Sequence, residues 1–163
     1  MTSAVTVFGA VGCGLVRPQF MTAPAKNTKS FTDFLQQVSW ARRHVGVTDP
    51  MPYLVLDNNS VHRSEAVRRE LSCFHAVFLP RYSSELNCQN AVFKELRREV
   101  FARLSQRCRG FVDDFEFQAM IQGMCNSFSV SFDVTGVLRA NFLYRLQYLR
   151  VDGDDASSDS DLD

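Results

Sequence analysis

The sequence predicts an α/β domain built on a mixed sheet, and three observations carry that reading. Short β-branched or continuously apolar runs at 4–8, 15–20, 53–56 and 76–79 have the length and composition of strands. Elsewhere apolar residues recur at helical spacing, as at Phe31, Phe34, Leu35 and Val38 and again at Val92, Leu96, Val100 and Leu104. Strand and helix signals alternate along the chain in the order expected of α/β domains. A length of 163 residues with 45% apolar content suits one domain with a sizeable core.

Taken in order, the first two strands flank the glycine-rich stretch 9–14. Those glycines do not make a phosphate loop, because no Lys and Ser or Thr pair follows Gly14. After a polar connection over 22–29, Asn27 and Thr28 offer a helix cap, and the helix is expected to end near Gly46, ahead of Pro50 and Pro52. Tyr53, Leu54, Val55 and Leu56 are apolar without interruption, which predicts a central strand buried on both faces. Residues 64–71 read as a short helix with Val67 and Leu71 on one side and Arg68 and Arg69 on the other. Residues 76–79 are a second buried strand, stopped by Pro80, and a loop over 81–87 leads into the long amphipathic helix. Beyond Gly110 two more helices are expected, at 112–127 and about 134–149. From Val151 onward Asp, Ser and Gly dominate, so the domain is placed at 1–150 and a disordered acidic tail at 151–163.

Composition narrows the function classes. No apolar run approaches the roughly 20 residues that span a bilayer, so no membrane partner is expected. The N-terminus lacks a charged region ahead of its apolar part, and Arg17 interrupts it, unlike a signal peptide. The five cysteines (Cys13, Cys73, Cys88, Cys108 and Cys125) are odd in number and scattered, with no zinc-ligand spacing. Reduced thiols in an intracellular setting, nuclear or cytoplasmic, fit that pattern. The net charge of zero conceals an asymmetry. Residues 151–163 hold six aspartates and no Lys or Arg, which leaves 18 basic and 12 acidic residues in 1–150, a formal +6. A basic body with an acidic tail suits an anionic partner with which the tail competes; it equally suits a solvated surface with a solubilising tail. Ser158 and Ser160 each have Asp three residues downstream, so phosphorylation would deepen the tail's charge.

The most specific feature is a pair of motifs. Asp57, Asn58 and His62 follow the apolar run at 53–56, and Leu79, Pro80, Arg81, Tyr82, Ser83, Leu86, Asn87 and Asn90 follow the run at 76–79. At this spacing the pair resembles the catalytic core of Tc1/mariner and IS630-like transposases, members of the DDE superfamily with an RNase H-like fold. The likeness extends over about residues 3–148. It implies a mixed RNase H-like sheet flanked by helices. The chemistry implied is DNA cleavage and strand transfer, in which three carboxylates hold two divalent metals, Mg2+ or Mn2+. Asp57 matches one of those carboxylates.

The sequence departs from that pattern at two points. The family's first aspartate lies on a strand ahead of 4–8, so the expectation is a domain lacking its first strand. The third carboxylate aligns with Asn90, a neutral and poor ligand for a hard cation. Ser84 and Cys88 replace two prolines of the second motif, and Glu85 and Glu95 are poorly placed to substitute for the lost acid. Asp57 remains as a vestigial metal ligand, or as a strand-end residue making an Asx turn. His62 reads as a hydrogen-bonded structural residue. No cofactor is expected, with Mg2+ or Mn2+ as the metal if activity persists.

Three readings of function follow. The leading one is a non-catalytic, transposase-derived protein retained for non-specific binding of DNA or RNA. Its contacts would be Arg63, Arg81, Lys94, Arg97, Arg98 and Arg103, with Arg68, Arg69, Arg107 and Arg109 nearby. A basic outer helix face is also what an ordinary solvated helix carries. The second reading is a scaffold in a larger assembly, with a protein partner pairing along an exposed strand edge at 4–8. Some of Phe111, Phe115, Phe117, Phe128 and Phe132 would face that partner and more would be core. The third is a metal-dependent strand-transfer enzyme completed in trans.

Overall fold

The structure is a computed structural model that describes residues 4–12, 15–43, 51–81, 83, 86–107, 113–133, 135, 136 and 139. The expected helix at 134–149, the acidic tail, Tyr82, Ser84, Glu85, Arg109 and Phe111 lie wholly or largely outside them.

Two small sheets are formed. Strand β1 (Thr6–Ala10) pairs antiparallel with β2 (Gln19–Ala23), with Thr6 opposite Ala23 and Ala10 opposite Gln19. Strand β3 (Tyr53–Leu56) pairs parallel with β4 (His75–Phe78), with Tyr53 opposite His75 and Leu56 opposite Phe78. Helix α1 (Thr28–Arg43) follows β2. A 3-10 turn (Ser60–Arg63) and helix α2 (Glu65–Leu71) make the crossover between β3 and β4. Helices α3 (Gln89–Arg107) and α4 (Asp114–Ser131) complete the described elements. The mixed α/β character agrees with the sequence reading, but the single sheet is divided among the described residues into one antiparallel and one parallel pair.

Local chemistry sets most boundaries. The Asn27 side-chain oxygen accepts from Ser30 N at 2.9 Å and so starts α1, while Asp113 accepts from Glu116 N at 2.7 Å and starts α4. The second strand begins later than its apolar run. Leu15 N donates to Gly12 O in a tight turn, Val16 is exposed, and Pro18 has no N–H for a ladder. Pairing therefore starts at Gln19 and runs through Thr22 and Ala23.

A second correction concerns β3 and β4, which are not buried on both faces. Leu54 and Leu56 face a core, whereas Tyr53, Val55 and Val77 are 76%, 55% and 44% exposed. Helices α1 and α2 cover only one face of this pair, and the other stays open among the described residues.

Two apolar clusters hold the elements. The first joins Phe8 and Ala23 of the antiparallel pair, Phe31, Phe34, Leu35 and Val38 of α1, Leu56 of β3, and Val67 and Leu71 of α2. The second joins Phe20 of β2 to Val92 and Leu96 of α3 and to Ile121, Met124, Cys125 and Phe128 of α4. Phe117 and Phe132 pack on its margin, and Phe115 is exposed. Polar side chains of α4 close the outer edge of β2. Gln122 Oε1 accepts from Thr22 N at 2.7 Å, Gln118 Nε2 donates to Thr22 O, and Gln122 Nε2 donates to Phe20 O, both at 3.2 Å. An otherwise free strand edge is thereby satisfied.

Leu35 is 2% exposed at the centre of the first cluster. Leu35→Ala should lower unfolding free energy by about 2–5 kcal/mol in chemical denaturation, and Phe115→Ala should stay within about 0.5 kcal/mol of wild type. Burial pushes the Cys125 thiol up to about 11. The folded chain thus holds a proton that the unfolded chain releases at lower pH. The stability gained is full below the ordinary thiol value and is lost as pH rises through about 11. Alkylation mapped by mass spectrometry at mildly alkaline pH should label the exposed Cys73 and spare Cys125 until the chain unfolds.

Candidate functional site

A cleft of about 460 Å³ opens between β1 and β3, floored by α1 and closed at one end by the start of α3. It is lined by every residue of both strands, by Phe31, Phe34, Leu35 and Val38, and by Asp57, His62, Asn87, Cys88, Gln89 and Phe93. The two sequence motifs thus meet in one place, the first at the end of β3 and the second where α3 begins.

Asp57 emerges where the β3–β4 ladder ends, its last bond being Leu79 N to Leu56 O at 2.8 Å. The chain then tightens. Asn59 Oδ1 accepts from Val61 N at 3.2 Å and Asn59 O accepts from His62 N at 3.1 Å. The Asx turn considered for Asp57 is therefore made by Asn59. This turn carries His62 back over Asp57, with Nδ1 at 3.0 Å from the main-chain oxygen and 2.8 Å from Oδ1. Both partners are acceptors, so Nδ1 carries the hydrogen and donates. The imidazole is buried and stacks on Phe31 with ring centres 4.2 Å apart. That position ties the turn to α1. Asn58 is half-buried, and the Asp57 side chain remains 53% exposed at the cleft.

On the opposite side, Pro80 and Arg81 are exposed, and Ser83 is half-buried with its hydroxyl donating to Arg81 O at 3.4 Å. Asn87 Oδ1 accepts from Gln89 N at 3.0 Å and caps α3. Asn90 is exposed in the first turn of α3, while its neighbours Asn87, Cys88 and Gln89 line the cleft. Glu95 sits further along α3 and pairs with Arg98 at 2.8 Å.

The donors among the described residues do not by themselves fit a two-metal centre. Asp57 is the one carboxylate among the described residues lining the cleft, and His62 Nδ1 already donates to it. Asn90 offers at best a neutral amide, and no group of three or more His, Cys, Asp or Glu among the described residues is placed to hold a metal ion.

The basic residues divide into two kinds. Arg98 pairs with Glu95, Arg103 with Glu99 at 2.8 Å, and Arg69 with Glu65. Lys94, Arg97, Arg68 and Arg81 are exposed and make no ion pair among the described residues, and Arg63 lies over the Phe78 ring at 5.8 Å. Position 90 begins the outer stripe of α3 that continues through Lys94, Arg97 and Phe101.

Gln89 is the residue that sequence reasoning passed over. It is 8% exposed, and neither Nε2 nor Oε1 finds a hydrogen-bond partner. Its place is made by Gly9, where a Cβ would lie 2.5 Å from Gln89 Nε2 and 2.9 Å from the Phe20 ring. A glutamine at a helix start reads as a surface residue, and only the approach of β1 buries it.

Among the described residues no helix is long and apolar enough to cross a membrane. No curated protein and no solved structure gives a significant match to the chain. Residues 2–110, more than half of the chain, match the family model described as DDE superfamily endonuclease, and the chain belongs to that family.

Proposed function

We propose that this chain is a transposase-derived domain of the Tc1/mariner or IS630-like kind that cuts no DNA and binds nucleic acid without reading its sequence. The observation that carries this reading is the outer stripe of α3. It starts with the neutral Asn90 next to the cleft that holds Asp57 and continues through Lys94 and Arg97, both exposed. A metal site of this family needs negative charge at that first position; a phosphate backbone favours the absence of it. Lys94 and Arg97 are spaced to meet phosphates along one helix face, with Arg63 and Arg81 exposed on the segments that leave β3 and β4. Such contacts position a duplex without distinguishing base pairs.

Binding of a fluorescent duplex, followed by polarisation at two salt concentrations, tests this reading. Affinity should fall steeply with salt and be equal for duplexes of unrelated sequence. The Lys94→Gln, Arg97→Gln double variant should lower the log–log salt slope by about two. Salt-independent binding, or a double variant that binds as wild type does, would contradict the proposal.

A further inference from the structure

The edge of β4 that faces away from β3 is open among the described residues. His75 N and Leu79 N donate to Pro52 O and Leu56 O of the β3 segment. Main-chain direction alternates along a strand, so Ala76 and Phe78 turn their N–H and C=O the other way, away from β3. Among the described residues no strand pairs with that side. Side chains alternate as well. Ala76 packs against the first apolar cluster, and Phe78 lies on the same face of the strand, toward α2.

Between this edge and α2 lies a groove of about 310 Å³, lined by Arg63, Arg68, Leu71, Ser72, Ala76 and Phe78. Leu71 and Ala76 give it an apolar floor, and the Arg63 guanidinium lies over the Phe78 ring at 5.8 Å. No carboxylate lines it among the described residues. The acids of α2 are turned elsewhere: Glu65 pairs with Arg69, and Glu70 accepts from Gln36 Nε2 of α1 at 2.9 Å. Arg63 and Arg68 are both exposed, so their charge stands open at the groove.

The groove therefore combines guanidinium charge, an apolar floor and peptide groups directed outward from a strand edge. A phosphate uses the first of these alone. A polypeptide laid along the edge uses all three, because its main chain pairs with Ala76 and Phe78 while its acidic side chains meet the arginines. Residues 151–163 have that chemistry. They carry six aspartates and no Lys or Arg, and Asp159, Asp161 and Asp163 alternate with Ser160 and Leu162. In an extended chain this alternation places three carboxylates on one face.

From these observations we infer that the acidic segment 151–163 of the same chain docks along the outer edge of β4, with Asp159, Asp161 and Asp163 toward Arg63 and Arg68. A tethered segment competes at a high effective concentration, and so holds the groove against unlinked acidic peptides. The docking requires no nucleic acid, and it stands whether or not the α3 stripe binds one.

Amide exchange followed by NMR on the full chain tests this, with no nucleic acid present. Ala76 and Phe78 amides should exchange about tenfold or more slowly in wild type than in the full-length Asp159→Asn, Asp161→Asn, Asp163→Asn variant. The Arg63→Gln, Arg68→Gln variant should speed the same two amides. So should salt at about 1 M, where charges are screened over about 3 Å. The Val77 amide, which faces β3, should stay unchanged throughout, as a check that the β3–β4 pair remains folded. If the arginine variant disturbs Val77, the aspartate variant decides, since it alters the segment alone. Equal exchange at Ala76 and Phe78 in wild type and the aspartate variant overturns the inference: fast in both means nothing docks, and slow in both means another element covers the edge. Protection that falls on dilution overturns the assignment to the same chain and gives the segment to a second copy.

Discussion

The described structure depends on the apolar face of α1. The two sheets share no main-chain hydrogen bond among the described residues, and what connects them is packing of Phe31, Phe34, Leu35 and Val38 against Phe8 on one side and Leu56 on the other. Phe8 meets Phe31 and Phe34 with ring centres 5.8 Å apart in each case. Phe31 in turn stacks on His62, so the same helix fixes the turn that holds Asp57. Each aromatic ring buries a large apolar area and adds a preferred geometry to it. The site is thus positioned by side-chain packing across a gap, not by a continuous ladder.

That arrangement holds the layout of the site without help from its polar residues. The end of β3 and the start of α3 converge on one cleft within the region that matches the DDE superfamily endonuclease model. Convergence rests on apolar residues such as Leu56, Val92 and Leu96, which are indifferent to whether position 90 carries a charge. On the reading proposed above, loss of the carboxylate leaves the shell intact and frees the α3 stripe to serve as a phosphate-facing surface.

Much of this was legible in the sequence. Asn27 marked the start of α1, the spacing of Val92, Leu96, Val100 and Leu104 marked the buried face of α3, and Val67 with Leu71 marked that of α2. These are local signals, set by caps and periodicity. What failed was non-local. An apolar run such as 53–56 shows that a strand is apolar, and does not show how many of its faces find a cover. Leu15 and Val16 looked like strand residues, but a turn bonded to Gly12 and the missing N–H of Pro18 delayed the pairing to Gln19. Asp57 and His62 were named from their motif, and the structure brings His62 Nδ1 within 2.8 Å of Asp57 Oδ1. Gln89 carried no signal, because its burial is created by a glycine eighty positions earlier in the chain.

The measurement that bears most directly on the proposal that the chain cuts no DNA is nicking of supercoiled plasmid by the purified chain in magnesium and in manganese, with Asp57→Ala beside it. A cleft with one carboxylate among its described residues and a neutral residue at position 90 predicts, on the proposed reading, no metal-dependent nicking by either protein. Nicking by the wild-type chain that disappears in Asp57→Ala would contradict the account, since Asp57 would then be working in a complete metal centre.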